Sequence, residues 1–286
     1  MKELTPATKK YVKTPLKPRP SDSQKGDNGK ILIIAGSFGM AGAAVMTGKA
    51  ALRAGAGLTT YLVPDEIVQV LQIAVPEAMC RSRNRAMEDL SRLDLGGFDA
   101  VAFGPGLGQS AENQALLERV LSHFEGVLVL DADGLNTLVK LGVERLKDAA
   151  CQVIITPHMG EAARLLGKSI TELSEDREAA VSMLYEKTGA ISVLKGAGTL
   201  ITDGKTILKN TTGTPGMAKG GSGDVLTGII TALAGQGLAP FDAAGAGVFI
   251  HGYAGELAEK NHGQYGMLPT DTIDEIGHAM REITGR

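Results

Sequence analysis

Two strings of small residues frame a carboxylate in this chain: Gly213-Thr214-Pro215-Gly216, then Gly220-Gly221-Ser222-Gly223-Asp224, with the uncharged run 225–234 directly behind. Glycine lets a backbone bend closely around an anion, and the uncharged run reads as a buried helix whose first N–H groups point at that anion. A carboxylate beside a bound phosphate is repelled by it, so Asp224 needs a chemical reason to be there. Taking the proton from a group that attacks the phosphate is such a reason. Together the two features point to phosphoryl transfer.

Five further loops carry groups that could complete such a site. Gly36-Ser37-Phe38-Gly39-Met40-Ala41-Gly42-Ala43 has glycines at every third position, which is neither the dinucleotide fingerprint nor the P-loop. It is a tight strand-to-helix turn or a backbone wall against substrate, and Phe103-Gly104-Pro105-Gly106-Leu107-Gly108 offers the same choice. Asp131-Ala132-Asp133-Gly134-Leu135-Asn136 places hard oxygen donors of the kind that hold magnesium directly or through water, although for Asp133 alone a helix N-cap is the preferred reading. Thr156-Pro157-His158-Met159-Gly160-Glu161 brings His158 and Glu161 to a helix start, where Glu161 also fits as a plain first-turn acid and His158 as a solvated loop residue. Lys195-Gly196-Ala197-Gly198-Thr199 presents a cation, two flexible residues and a hydroxyl, which suits a nucleotide's phosphates and ribose, or a hairpin turn.

The elements between these loops alternate. Apolar runs at 30–35, 58–63, 99–103, 126–130, 153–155 and 191–194 read as strands, and helical patterns at 41–55, 65–71, 111–122, 135–141, 160–166 and 177–188 separate them. Segments 199–203 and 206–209 flank Gly204 as a hairpin, so the far edge of the sheet turns antiparallel. The remainder is helical, at 222–235, 241–260 and 270–283. Near-continuous apolar strands separated by helices imply an α/β fold with a mainly parallel sheet covered on both faces. Ligands of such sheets bind beyond the C-terminal strand ends, so the Gly36, Gly104, Asp131, Thr156 and Lys195 loops should face one crevice.

Composition narrows the ligand. A net charge of −3 over 286 residues gives no basic face for nucleic acid, and a small molecule is favoured. The 38 glycines are nearly twice the average usage of about 7 %, and they cluster at the ligand loops. Trp is absent, which argues against an aromatic base-stacking platform. No apolar segment reaches the roughly 18 residues of a membrane span. Cys80 and Cys151 lack metal spacing, so a reducing cytoplasm is expected. Residues 1–25 form a basic, proline-rich arm with Lys2, Lys9, Lys10, Lys13, Lys17, Arg19 and Lys25, expected as an extended strap over a single domain at 26–286.

Taken together, the 220–224 string, the 213–216 string, the Asp131 and His158 loops and the 195–199 loop resemble the NAD(P)H-hydrate dehydratases of the ribokinase-like superfamily, over roughly residues 25–284. The glycine-rich string alone would indicate the superfamily, and its combination with the histidine-containing loop is specific to the dehydratase branch. The resemblance implies a three-layer α/β/α fold and a repair reaction. Hydrated NADH or NADPH (NADHX or NADPHX) is phosphorylated on its ring hydroxyl, and phosphate is then eliminated to restore the dihydropyridine. ADP is the donor in bacterial members and ATP in eukaryotic ones, with Mg2+.

By the same resemblance Asp224 is the base, and the N–H groups of Gly221, Ser222 and Gly223 form the anion hole. At a helix N-terminus Asp224 is expected to stay ionised. Lys195, Gly196, Ala197, Gly198, Thr199 and Gly223 bind ADP, while Ala43, Gly106 and His158 join Asp224 against the hydrated nucleotide. Asn136 and Glu161 help to place phosphate and magnesium, with no direct metal ligand assigned. Many members carry an additional epimerase domain, for which a 25-residue arm is too short. The expectation is therefore action on the S epimer alone beside a separate epimerase, a bacterial origin, ADP as donor, and the homotetramer common in the family. A vitamin-precursor kinase of the same superfamily is the enzymatic rival, against which His158 argues. A nucleotide sensor without turnover is the other, and it would not need a carboxylate against the phosphate.

Overall fold

The computed structural model describes residues 3–286; Met1 and Lys2, the start of the basic arm, lie outside the described residues. The arm continues as β1 (Glu3–Ala7) and α1 (Lys9–Lys13), the helix opened by Thr8, whose hydroxyl accepts a hydrogen bond from Tyr11 N at 3.2 Å. Then follow β2 (Lys30–Ile34), α2 (Ala41–Arg53), β3 (Leu58–Val63), α3 (Asp65–Ala74), β4 (Met79–Ser82), α4 (Arg83–Glu88), β5 (Ala100–Phe103) and α5 (Ala111–His123). The alternation continues through β6 (Val127–Leu130), α6 (Asp133–Leu141), β7 (Gln152–Ile155), α7 (Met159–Leu166), α8 (Ile170–Glu175), α9 (Arg177–Thr188) and β8 (Ile191–Leu194). The chain ends with β9 (Leu200–Thr202), β10 (Thr206–Asn210), α10 (Ser222–Gly235), α11 (Pro240–Gly266) and α12 (Pro269–Thr284).

Among the described residues one sheet of ten strands runs in the order β1-β10-β9-β8-β7-β6-β5-β2-β3-β4. Every pairing is parallel except the two made by β9. Only residues 195–199 separate β8 from β9, too few for the crossover a parallel neighbour needs, so β9 must reverse. At the next turn Gly204 takes φ 85, and Asp203 Oδ1 accepts from Lys205 N and Thr206 N at 2.9 and 2.8 Å. The hairpin lies one strand in from the edge, because β1 pairs in parallel outside β10. The rest of the arm is also anchored, by Arg19, which donates to Gly55 O, and by Tyr11, whose hydroxyl lies 3.1 Å from Asp242 Oδ1.

Alternate residues of the central strands fill two separate cores. Ile31 and Ile33 pack with residues of α2, α10, α11 and α12 on one face. Leu32 and Ile34 pack with residues of α5, α6, α7 and α9 on the other. A strand buried on both faces has no polar side to show, which is why these runs are continuous rather than alternating. The buried helix α10 lies against α2, and Gly228 permits the approach: a Cβ there would fall 2.1 Å from Thr47 O. That contact fixes the N-terminus of α10 beside that of α2. Among the described residues no helix is long and apolar enough to cross a membrane.

Candidate active site

The loops after β2, β5, β6, β7 and β8 meet at one edge of the sheet, and an ion pair joins two of them. Lys195, directly after β8, reaches Asp131, directly after β6, with Nζ 2.6 Å from Oδ1. Thr227 Oγ1 on α10 donates to the other oxygen, Oδ2, at 2.8 Å. Glu161 Oε2 lies 3.9 Å from the same ammonium. The side chains of Asp131 and Glu161 are only 2 % and 6 % exposed, so Lys195 answers two buried acids at once. Burial opposes the charge on Lys195, but Asp131 and Glu161 outweigh it and raise its pKa. Glu161 is also raised, by burial first, with Lys195 opposing and Asp131 reinforcing. The cluster thus holds a firm ammonium between one carboxylate that it neutralises directly and a second that gives up its proton less readily.

Asp224 stands above this cluster in the first turn of α10. The helix begins at Ser222 after Gly221, which takes φ 102. A Cβ on Gly221 would meet Met46 of α2 at 2.6 Å and Pro269 of α12 at 3.3 Å, so a side chain has no room there. A Cβ on Gly223 would lie 3.3 Å from Lys195 Nζ and 3.5 Å from Asp131 Oδ2, which sets the 221–223 backbone directly over the buried ion pair. Unpaired N–H groups at such a helix start form an anion site. Of the three expected here, Ser222 N is already engaged, donating to Lys219 O at 3.3 Å, which leaves those of Gly221 and Gly223. Ser222 Oγ is turned away from it and donates to Met217 O at 2.6 Å.

The expectation that Asp224 stays ionised by virtue of the helix N-terminus is corrected here. Its pKa is pushed up to about 7, by burial first and then by Asp131, with Lys195 pulling it back. Burial and a like charge exceed the helix-end effect, which is typically worth under about 1 kcal/mol. The result is a carboxyl balanced near neutral pH, where a general base is most effective.

The residues expected against the substrate fall in two groups. Ala43 and Gly106 touch, since a Cβ on Gly106 would lie 2.7 Å from Ala43 Cβ. Ser37 Oγ donates to Gly106 O at 2.9 Å and Gly36 N to Pro105 O at 2.8 Å, so the two glycine turns form one wall. His158 caps α7, its Nδ1 accepting from Gly160 N and Glu161 N at 3.0 and 3.4 Å. With Nδ1 as acceptor the proton sits on Nε2, 3.5 Å from Glu161 Oε1. Glu161 Oε2 in turn accepts from His158 N at 2.8 Å, completing a capping box whose imidazole remains 55 % exposed at the mouth.

Asn136 is held elsewhere. Its amide donates to Asp133 Oδ1 at 3.3 Å, and its carbonyl accepts from Arg164 Nε at 3.1 Å. Asp133 does not cap α6, which corrects the preferred reading. Ala132 holds the cap position at φ 48 and ψ −119, and Asp133 Oδ2 instead accepts from Gly108 N at 2.9 Å. Ala132 is the one non-glycine residue with positive φ among the described residues. That strain sits next to Asp131 and is of a kind that concentrates at working sites.

Three site residues carry no loop signature in sequence. Thr227 hides inside the apolar run, three positions after Asp224. Arg177 opens α9 and donates to Ala197 O and Leu194 O at 2.5 and 3.3 Å, bracing the 195–199 loop from below. His251 lies within α11 against the Ser222 backbone, its Nε2 buried without a hydrogen-bond partner among the described residues. Burial, then Lys195, lower its pKa to about 4, so the ring is neutral at physiological pH. A histidine and a threonine interrupting uncharged helical runs were the only hints available.

A mainly parallel sheet with one reversed strand, helices on both faces, and a glycine-led helix start bearing an acid over the crevice define a ribokinase-like protein. A ribokinase-like superfamily protein of Enterococcus faecalis superposes with a TM-score of 0.86 at 29 % identity, covering 99 % of this chain and 97 % of that one. The chain belongs to the NAD(P)H-hydrate dehydratase family, whose model matches residues 31–278. The bifunctional NAD(P)H-hydrate repair enzyme Nnr of Vibrio cholerae is 45 % identical over 262 residues, 91 % of this chain and 51 % of its own length. The chain therefore spans about half the length of the curated relatives it matches. The Bacillus subtilis ADP/ATP-dependent NAD(P)H-hydrate dehydratase, co-crystallized with ATP/Mg2+, superposes with a TM-score of 0.88 at 29 % identity, covering 98 % of each chain.

Proposed function

We propose that this chain removes water from the S epimer of NADHX and NADPHX, consuming ADP and releasing AMP and phosphate. The observation that carries this reading is Asp224: a carboxyl with its pKa pushed up to about 7, set in the first turn of α10 beside the glycine-led backbone of 221–223. Asp224 takes the proton of the ring hydroxyl as that oxygen attacks the terminal phosphorus of ADP, and the bond to AMP breaks. The Gly221 and Gly223 N–H groups hold the transferring phosphoryl oxygens. The ring C–O bond that now carries the phosphoryl group then breaks, phosphate leaves with its electron pair, and a neighbouring ring carbon gives up a proton so that its C–H electrons restore the ring double bond. Hydroxide leaves poorly and phosphate leaves well, which is why a kinase-like site can drive a dehydration.

The 195–199 backbone and Gly223 form the nucleotide wall in this reading. Ala43, Gly106 and the exposed imidazole of His158 face the hydrated nicotinamide. The donors fit a magnesium ion carried by the nucleotide. Both oxygens of Asp131 are already engaged, by Lys195 and Thr227, and no group of three His, Cys, Asp or Glu gathers as a metal site among the described residues. Magnesium often keeps several waters and binds through phosphates, so Glu161 would hold it through water, and it would neutralise phosphoryl charge. A homotetrameric assembly and a partner epimerase complete the proposal. The test incubates the protein with NADHX, ADP and Mg2+ and follows recovery of the reduced-nicotinamide absorbance band. Recovery with release of AMP and phosphate is expected, and no recovery with ADP or with ATP overturns the reading.

A further inference from the structure

The 195–199 loop, read as the nucleotide wall, has one lysine in its motif, and that lysine is committed elsewhere. Lys195 Nζ is bonded to Asp131 at 2.6 Å and faces Glu161 at 3.9 Å, beneath the Gly223 backbone. Around that ammonium stand three carboxyl groups, those of Asp131, Glu161 and Asp224. A nucleoside diphosphate arriving here adds further negative charge, so its phosphates need cations whose charge is still free.

Two such cations flank the loop. The guanidinium of Arg177 lies under Gly196, where a Cβ would fall 3.1 Å from Nη2, and it donates to two backbone carbonyls, Ala197 O and Leu194 O. Among the described residues no carboxylate pairs with it, and burial alone lowers its pKa. Lys209, exposed on β10, brings its Cε to 3.2 Å from a Cβ position on Gly198. It too has no carboxylate partner among the described residues. The glycines between these two cations take φ 143 and φ 60, leaving the loop with no side chain above the cations at 196 or 198.

We infer that Arg177 and Lys209, rather than Lys195, are the side-chain partners of the nucleotide's phosphates. Arg177 acts in two ways. It shapes the loop through two carbonyls, and it offers its remaining N–H donors as a fork that suits phosphate oxygens. Lys209 acts as a point charge on the opposite flank. The inference rests on the nucleotide-dependent reading of this site, and its test separates the two.

The experiment measures ADP and adenosine binding by calorimetry for wild type, Arg177→Gln, Arg177→Lys and Lys209→Gln. Adenosine shares the base and ribose but lacks phosphate, so it reports loop shape without charge. Arg177→Gln and Lys209→Gln should each weaken ADP at least fivefold while holding adenosine within twofold, and Arg177→Lys should recover part of the loss. In dehydratase assays the same variants should raise the KM for ADP more than they lower kcat. ADP affinity unchanged in both glutamine variants overturns the inference while leaving the function intact. Equal losses for ADP and adenosine overturn it as well, by reducing Arg177 to a brace. A wild-type chain that binds no adenine nucleotide removes the functional reading itself.

Discussion

Lys195 Nζ lies 2.6 Å from Asp131 Oδ1, so the ammonium that ends β8 is bound to the carboxylate that ends β6. Both groups act on Asp224, and in opposite directions: Asp131 raises its pKa and Lys195 lowers it. Two substitutions should therefore move the acid limb of the kcat/KM profile oppositely. Asp131→Asn removes the like charge and should shift that limb below neutral pH. Lys195→Met removes the cation and should shift it above. Each variant also leaves a buried partner uncompensated, which costs about 3–5 kcal/mol when one member of a buried pair is lost. Glu161 at 3.9 Å softens the loss for Asp131→Asn, because Lys195 keeps one acid. A pH–rate series on the soluble fraction of both variants checks the prediction, and limbs that move the same way refute it.

Asp224 should weaken the fold that it serves. An unfolded aspartate titrates near pH 4, whereas in the folded chain burial and Asp131 hold Asp224 at about 7. Between those values the folded state keeps a proton that the unfolded state has released, so stability falls as pH rises through the window. Below about pH 4 both states are protonated and the penalty vanishes. Asp224→Asn should accordingly be more stable than wild type at pH 8, by on the order of a few kcal/mol, with the difference gone near pH 4. It should also lose about two to four orders of magnitude in dehydratase rate. Melting temperatures of the two proteins at a series of pH values decide the first claim. Equal melting curves at pH 8 would contradict it.

Much of this arrangement was legible in the residue order. The strand runs that end at Gly36, Gly104, Asp131, Thr156 and Lys195 are buried on both faces and nearly continuous in apolar residues, so their positions and common polarity could be read directly. Strands β4 and β1 could not. Met79–Ser82 has no apolar run, because an edge strand with a part-exposed face needs none, and Glu3–Ala7 is recruited by its partner β10 rather than by its own pattern. The acid of the site was visible because glycines announce it. Its partners were not: Thr227 and His251 sit in helical runs, and only the packing of α10 and α11 against the sheet turns them toward Lys195 and Asp131. The inward commitment of Lys195 was equally hidden, since a loop lysine in sequence looks free.

The glycine turns differ in what they tolerate, although they look alike in sequence. At Gly104, φ is 128, and a Cβ would fall 1.9 Å from Asp131 O and 2.5 Å from Gly134 N, both backbone atoms that cannot step aside. At Gly108, φ is 77, and the nearest atom to a Cβ would be Ser37 Oγ at 3.9 Å. Gly104→Ala must push the β5 loop away from the residue carrying the Lys195 ion pair. Its cost should exceed about 4 kcal/mol, the range in which single substitutions are exceptional. Gly108→Ala meets only the left-handed backbone penalty of about 1–2 kcal/mol. Chemical denaturation of the two variants gives both numbers, and comparable losses would show that the turn is softer than its geometry.

His158 has two jobs in this reading, and one substitution separates them. Its Nδ1 accepts the Gly160 and Glu161 N–H groups at the start of α7, while the rest of the ring, 55 % exposed, faces the mouth of the crevice. Serine caps a helix by the same acceptor role but reaches no further, whereas alanine supplies no cap at all. His158→Ala should therefore lose about 1 kcal/mol of stability together with the substrate contact. His158→Ser should hold stability within about 0.5 kcal/mol of wild type, the range of a neutral surface change. It should still raise the KM for NADHX severalfold while leaving the KM for ADP in place, because the imidazole is assigned to the hydrated ring and not to the nucleotide wall. If serine restores the NADHX KM along with the stability, the imidazole is a cap and nothing more, and the contact to the hydrated ring must be sought in the Ala43 and Gly106 wall.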